Sequence, residues 1–157
     1  MTSLTAILLH ANEVMRRSLR MQRAGLWRRA IQHEHASILL LGMADPDIDA
    51  RLQELADADV QLRDMQVNAI HGTLSDEDAR WLEDEGRGRE FFAGLQGPQA
   101  EAYARFVGLL ADAEASMDAV AADPSPETVS QRYAAILALD AYHSRALNDA
   151  LPLADGC

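Results

Sequence analysis

Arg23-Ala24-Gly25-Leu26-Trp27-Arg28-Arg29-Ala30-Ile31-Gln32-His33-Glu34, with its tail Ile38-Leu39-Leu40-Leu41, is the stretch on which the reading of this chain turns. Apolar residues enter it at three- and four-residue spacing through Leu4, Ile7, Leu8, Ala11, Val14, Met15 and Leu19. They leave it on the same period through Leu26, Trp27, Ala30, Ile31, Ile38 and Leu41. That recurrence marks amphipathic helix, and no alternating run of the kind a strand needs breaks it. Gly25 leaves two courses open. It ends a first helix of about five turns and a second restarts at Trp27, or it is a weak point inside one helix, where glycine costs roughly 1 kcal/mol relative to alanine.

Outward from this stretch the chain is punctuated by helix signals. Asp45-Pro46 supplies an N-cap and a first-turn proline for a third element, ending near His71-Gly72, whose apolar set is Ile48, Leu52, Leu55, Ala56, Val60, Leu62, Val67 and Ile70. Ser75 caps a fourth, with Asp76-Glu77-Asp78 against the positive end of its dipole; Gly86 and Gly88 interrupt it around Phe91-Phe92. Gly97-Pro98 opens a fifth that buries Tyr103, Phe106, Val107, Leu110, Met117 and Val120. Asp123-Pro124-Ser125-Pro126-Glu127 stops that helix and starts a sixth, carrying Val129, Tyr133, Ile136, Leu137, Tyr142 and Leu147 and closed by Leu151-Pro152. The expected fold is all-α, an antiparallel helical bundle of about five to six helices. It forms one domain over residues 1–157, with amino-terminal helices over 4–72, carboxy-terminal helices over 75–151 and a tail over 152–157.

Composition agrees with that class. The chain has 157 residues, enough for a real core, and its 48% hydrophobic content is mostly Ala, Leu, Ile and Met, with only 5% aromatic. No run approaches the roughly 18 apolar residues that span a bilayer, so no membrane insertion is expected. The formal net charge is −11 and all 14 basic residues are arginine. Residues 1–35 carry six arginines against Glu13 and Glu34, leaving −15 on the remainder. So acidic a chain is repelled by a phosphate backbone, which argues against nucleic acid as a partner. A single cysteine, Cys157, permits no intrachain disulfide, and Ile7-Leu8-Leu9 is too short for a secretory core; a cytoplasmic location is expected.

Motifs for chemistry are missing. His33 and His35 lie two apart, roughly 200° around a helix, and cannot share one metal. His10, His71 and His143 fall on different helices. No Glu-x-x-His or His-Glu-x-x-His pair occurs, and Gly86-Arg87-Gly88 lacks the strand context of a phosphate loop. Asp76-Glu77-Asp78 and Glu83-Asp84-Glu85 lack the spacing of a calcium loop and read as solvated helix faces. No enzymatic activity, metal or cofactor is expected. What remains is surface. Arg16, Arg20 and Arg23 form a stripe that either pairs with the chain's own acids or docks an acidic partner, and Trp27 is either core or an anchor for a partner.

Ile7, Asn12, Met15, Ala24, Gly25, Trp27, Ile31, Glu34, Leu39 and Leu40, then Leu52, Leu55, Asp59 and Leu62, resemble the flagellar export chaperones of the FliT type over roughly residues 4–70. That resemblance implies a chaperone whose partner is an amphipathic helix of an export substrate, or a component of the export apparatus, held in an apolar groove. The partner-binding residues would be Met15, Arg16, Arg20, Arg23, Trp27 and Ile31. By analogy the last helix is a lid, packed through Ile136, Leu137 and Leu147. Residues 74–139 are similar instead to the effector-binding helical domains of MerR-type regulators. This second likeness implies a stand-alone small-ligand sensor with a pocket at Tyr103, Phe106, Tyr133 and Tyr142. Exposed apolar stripes on a short helical protein also suit a homodimer.

Overall fold

A computed structural model describes residues 3–42, 45–84, 90 and 93–152. The expected interruption at Gly86 and Gly88 around Phe91-Phe92, and the tail from residue 153 with Cys157, lie outside the described residues. Five helices account for the described architecture: α1 (Leu4–Leu41), α2 (Pro46–His71), α3 (Asp76–Leu82), α4 (Gly97–Ala122) and α5 (Pro126–Tyr142). Beyond Tyr142 the helix passes through a π-helical turn, His143–Leu147, and a last α-helical turn, Asn148–Ala150. No strand occurs among the described residues.

Gly25 breaks nothing. The two amino-terminal elements are one 38-residue helix, roughly 57 Å long, capped by the Ser3 hydroxyl, which accepts from the Ala6 amide at 3.1 Å. The reason a glycine stands there is close approach: a Cβ on Gly25 would come within 2.8 Å of Gln66 Nε2 on α2. In the space that is left, the Gln66 amide donates to the Met21 carbonyl at 3.4 Å and accepts from Arg28 at 2.8 Å.

The remaining caps are those the sequence announces. The Asp45 side chain accepts from the Asp47 amide, Ser75 caps α3 through the Asp78 amide, and Ser125 with Thr128 forms a reciprocal capping box on α5. Pro46 and Pro126 occupy first-turn positions where the missing N–H costs nothing. The apolar set of α2 needs correcting. Leu55, Leu62, Met65 and Ala69 face the core, whereas Val60, Val67 and Ile70 are each more than half exposed. At about 100° per residue these three fall on a flank of α2, outside the arc that meets α1.

Packing places α1 at the centre. Pairings of Glu34 with Arg51, Arg28 with Asp59 and Gly25 with Gln66 run α2 antiparallel to α1. On another side, Asn12 donates to the Met117 carbonyl at 2.9 Å, and Gln99 meets His33 at 3.4 Å, so α4 is also antiparallel to α1. The last helix then returns along α4, with Arg132 donating to Asn12 Oδ1 at 2.6 Å. In the middle of α1, ten consecutive residues, Gln22 to Ile31, are buried. A helix enclosed on every side is ordinarily apolar throughout, yet this span holds Arg23, Arg28 and Arg29.

At the far end of α2, Gly72 takes φ = +72°, and a Cβ there would stand 2.6 Å from the Arg17 guanidinium carbon. Gly72→Ala therefore combines a left-handed alanine with displacement of an arginine seated at a helix carboxy terminus. It should lower the free energy of urea unfolding by about 1–2 kcal/mol; an unchanged midpoint would contradict this account of the α1–α2 corner.

Candidate functional site

The three arginines of the α1 stripe pair with acids of the same chain. Arg16 pairs with Asp118 at 2.7 Å, Arg20 with Glu83 at 3.1 Å and Arg23 with Glu114 at 2.7 Å. Trp27 is buried, its ring 5.3 Å from that of Trp81 on α3 with the planes tilted by 58°. Met15 is half-buried against the core. Of the six residues expected to grip a partner, Ile31 lines an open groove, and it does so from the floor.

That groove lies between α1 and α2 and has a volume of about 530 Å³. Ile31, Ala36 and Leu39 line it from α1, and Leu55, Ala56 and Val60 from α2. Gln32 and His35 on α1 and Asp59 and Arg63 on α2 supply the polar margin. Its walls are held rigidly. Arg28, almost fully buried, donates from Nε to Asp59 at 2.9 Å. Arg51 grips Glu34 with a two-pronged contact, Nε to Oε1 at 2.9 Å and Nη2 to Oε2 at 3.0 Å. A smaller recess of about 270 Å³ flanks the same end of α1, with Ala30, Ile38, Leu41 and Leu95 as its apolar lining. Leu39, Leu40 and Leu41 between the two are all exposed, Leu40 at 88%. The groove thus runs on to an exposed leucine tip.

The sequence pattern groups Ala56 and Val60 with the apolar set of α2, weighs His35 only as a metal ligand and gives no sign of Ala36. The available signal was the width of the apolar set on α2, which spans more of the helix circumference than one neighbour can cover.

Elsewhere, the residues of the expected ligand pocket are spread over the α4–α5 seam. Phe106 is fully buried, Tyr103 and Tyr142 pack half-buried on the core, and Tyr133 is 65% exposed on the outer side of α5. The tyrosine hydroxyl of Tyr142 donates to the Ala102 carbonyl at 3.5 Å. Among the lid residues, Leu147 is buried, Ile136 packs on the core and Leu137 is half exposed. No residue of α5 lines the α1–α2 groove among the described residues.

The π-helical turn after α5 brings His143 against α1. Arg29 donates to the Leu151 carbonyl at 2.6 Å, and its other terminal nitrogen lies 3.5 Å from His143 Nε2. Burial lowers the affinity of Arg29 for its proton. Burial also lowers the His143 pKa, helped by the Arg29 charge and opposed by Asp140. Among the described residues no three His, Cys, Asp or Glu side chains converge as a metal site, and no helix is long and apolar enough to cross a membrane. No family model, curated protein or solved structure matches the chain.

Because the folded-state pKa of His143 is depressed, its neutral ring contributes stability that is complete above the unfolded-state value near 6.5. That contribution is lost as pH falls toward the folded value. The urea midpoint should therefore fall further between about pH 7 and about pH 5 for the native chain than for His143→Gln. Parallel pH profiles would show that His143 carries none of the acid sensitivity.

Proposed function

We propose that this protein is a binding chaperone: it holds an amphipathic helix of another polypeptide in the α1–α2 groove and makes or breaks no bond. One observation carries the reading. Two helices joined by ion pairs leave an apolar channel of about 530 Å³ open beside an exposed leucine tip. Exposed apolar surface gathered in one place marks an interaction site, and a groove between two helices accepts a third through its i, i+3, i+4 and i+7 side chains. The resemblance of residues 4–70 to FliT-type export chaperones supports the same reading, and on it the occupant is a helix of a secretion substrate met in the cytoplasm.

The contact differs from the one the resemblance alone implies. Arg23 and Trp27 are occupied inside the bundle and Arg16 and Arg20 pair with acids at its surface, while Ile31, Leu39, Ala56 and Val60 offer the binding surface. The groove stands open beside α2, so the reading needs no lid.

Site-specific photo-crosslinking in the source cell tests this. A benzophenone side chain at Leu39 or Val60 should give the same discrete protein adduct, while one at the exposed Asp112 on α4 should not. Adducts that are equal at all three positions, or absent from Leu39 and Val60, would remove the proposal.

A further inference from the structure

Resting on the groove reading above, the charge around this surface specifies its occupant further. The apolar flank of α2 runs on from the groove: Ala56 and Val60 line it, and Val67 and Ile70 continue the same face at helical spacing. From Leu52 to Ile70 that face extends roughly 27 Å, the length of about five helical turns. It therefore offers a track for a helix, longer than a small molecule would use.

The charges on α2 are unequal. Six carboxylates, Asp47, Asp49, Glu54, Asp57, Asp59 and Asp64, stand against Arg51 and Arg63. Arg51 is consumed by Glu34 and Glu54, and Asp59 by the buried Arg28. Asp47, Asp49, Asp57 and Asp64 remain, all exposed. Of these, Asp57 and Asp64 stand seven residues apart on the outer border of the apolar flank beside Val60. Neither makes an ion pair among the described residues; Asp57 accepts only from Gln53, at 2.8 Å. Along the channel itself lie Arg63, His35 and Asp59, the last already paired with Arg28. Behind them the whole chain carries −11. A second copy of this protein would bring a like-charged border to the same place, so self-association through this face is disfavoured.

We infer that the occupant of the α1–α2 face is an amphipathic helix with a basic border, its apolar side chains on Ala56, Val60, Val67 and Ile70 and its lysines or arginines against Asp57 and Asp64. Its apolar residues supply the affinity, and the charges set orientation and preference.

Three synthetic helices of about five turns, identical in their leucine face and flanked by lysine, glutamine or glutamate, separate the outcomes by fluorescence anisotropy with the full-length protein. The lysine-flanked helix should bind at least about tenfold more tightly than the glutamate-flanked one at low salt, and the gap should narrow as salt rises. Asp57→Lys with Asp64→Lys should reverse the order, and Val60→Asp with Val67→Asp should abolish binding of all three while the circular dichroism stays helical. Equal binding of the three, or preference for the glutamate flank, overturns the basic-border inference and leaves the groove reading standing. Binding that survives the paired valine substitutions, or no binding by any helix, overturns both.

Discussion

Three guanidinium groups inside one enclosed helix set the terms for the rest of this fold. Burying a charge is costly unless a partner and hydrogen bonds answer it, and removing one partner leaves the other exposed to that cost. Arg23, Arg28 and Arg29 are each answered by a different neighbour: Glu114 of α4, Asp59 and Gln66 of α2, and the Leu151 carbonyl beyond α5. Trp27 meets Trp81 of α3 in the same two turns. Helices α2, α3 and α4 and the segment after α5 are thereby fastened to one short length of α1, with directional contacts that apolar packing alone does not supply.

The groove follows from that arrangement. The middle of α1 is enclosed by α2, α3, α4 and the segment after α5, but its carboxy-terminal turns outrun that enclosure. Beyond Ile31 its residues become half-buried and then exposed; α2 stays beside them through Arg51 and Glu34, and the start of α4 only through Gln99 at His33 and the segment before it at Leu95. Two helices in contact cover only one arc of each other's surface. The leucines of the α1 tip and the valines of α2 therefore keep an exposed face among the described residues. On the proposed reading the partner docks at the tip of α1, apart from the arginine-bearing middle of the same helix.

Much of this was legible in the sequence because the signals are local. Asp45-Pro46, Ser75, Gly72 and Ser125-Pro126 each bound an element through contacts made within a few residues, and the structure keeps all of them. Gly25 was not legible, since a glycine that ends a helix and a glycine that admits a neighbouring side chain look alike until Gln66 is in place. The arginine stripe had the same ambiguity. Whether Arg16 and Arg23 face outward or meet Asp118 and Glu114 depends on how α4 returns, about a hundred residues later. The groove was hidden for a third reason: periodicity marks Val60, Val67 and Ile70 as apolar and helical, but not which of two apolar arcs finds a partner.

Native-state hydrogen exchange, resolved by residue along α1, tests the central claim most directly. If the buried arginines fasten the bundle to one uninterrupted helix, amides 22–31 will be the slowest in the chain, protection will pass through Gly25 without a dip, and exchange will quicken toward Leu41. Fast exchange at Gly25 and Leu26, or a centre no better protected than the leucine tip, would contradict it.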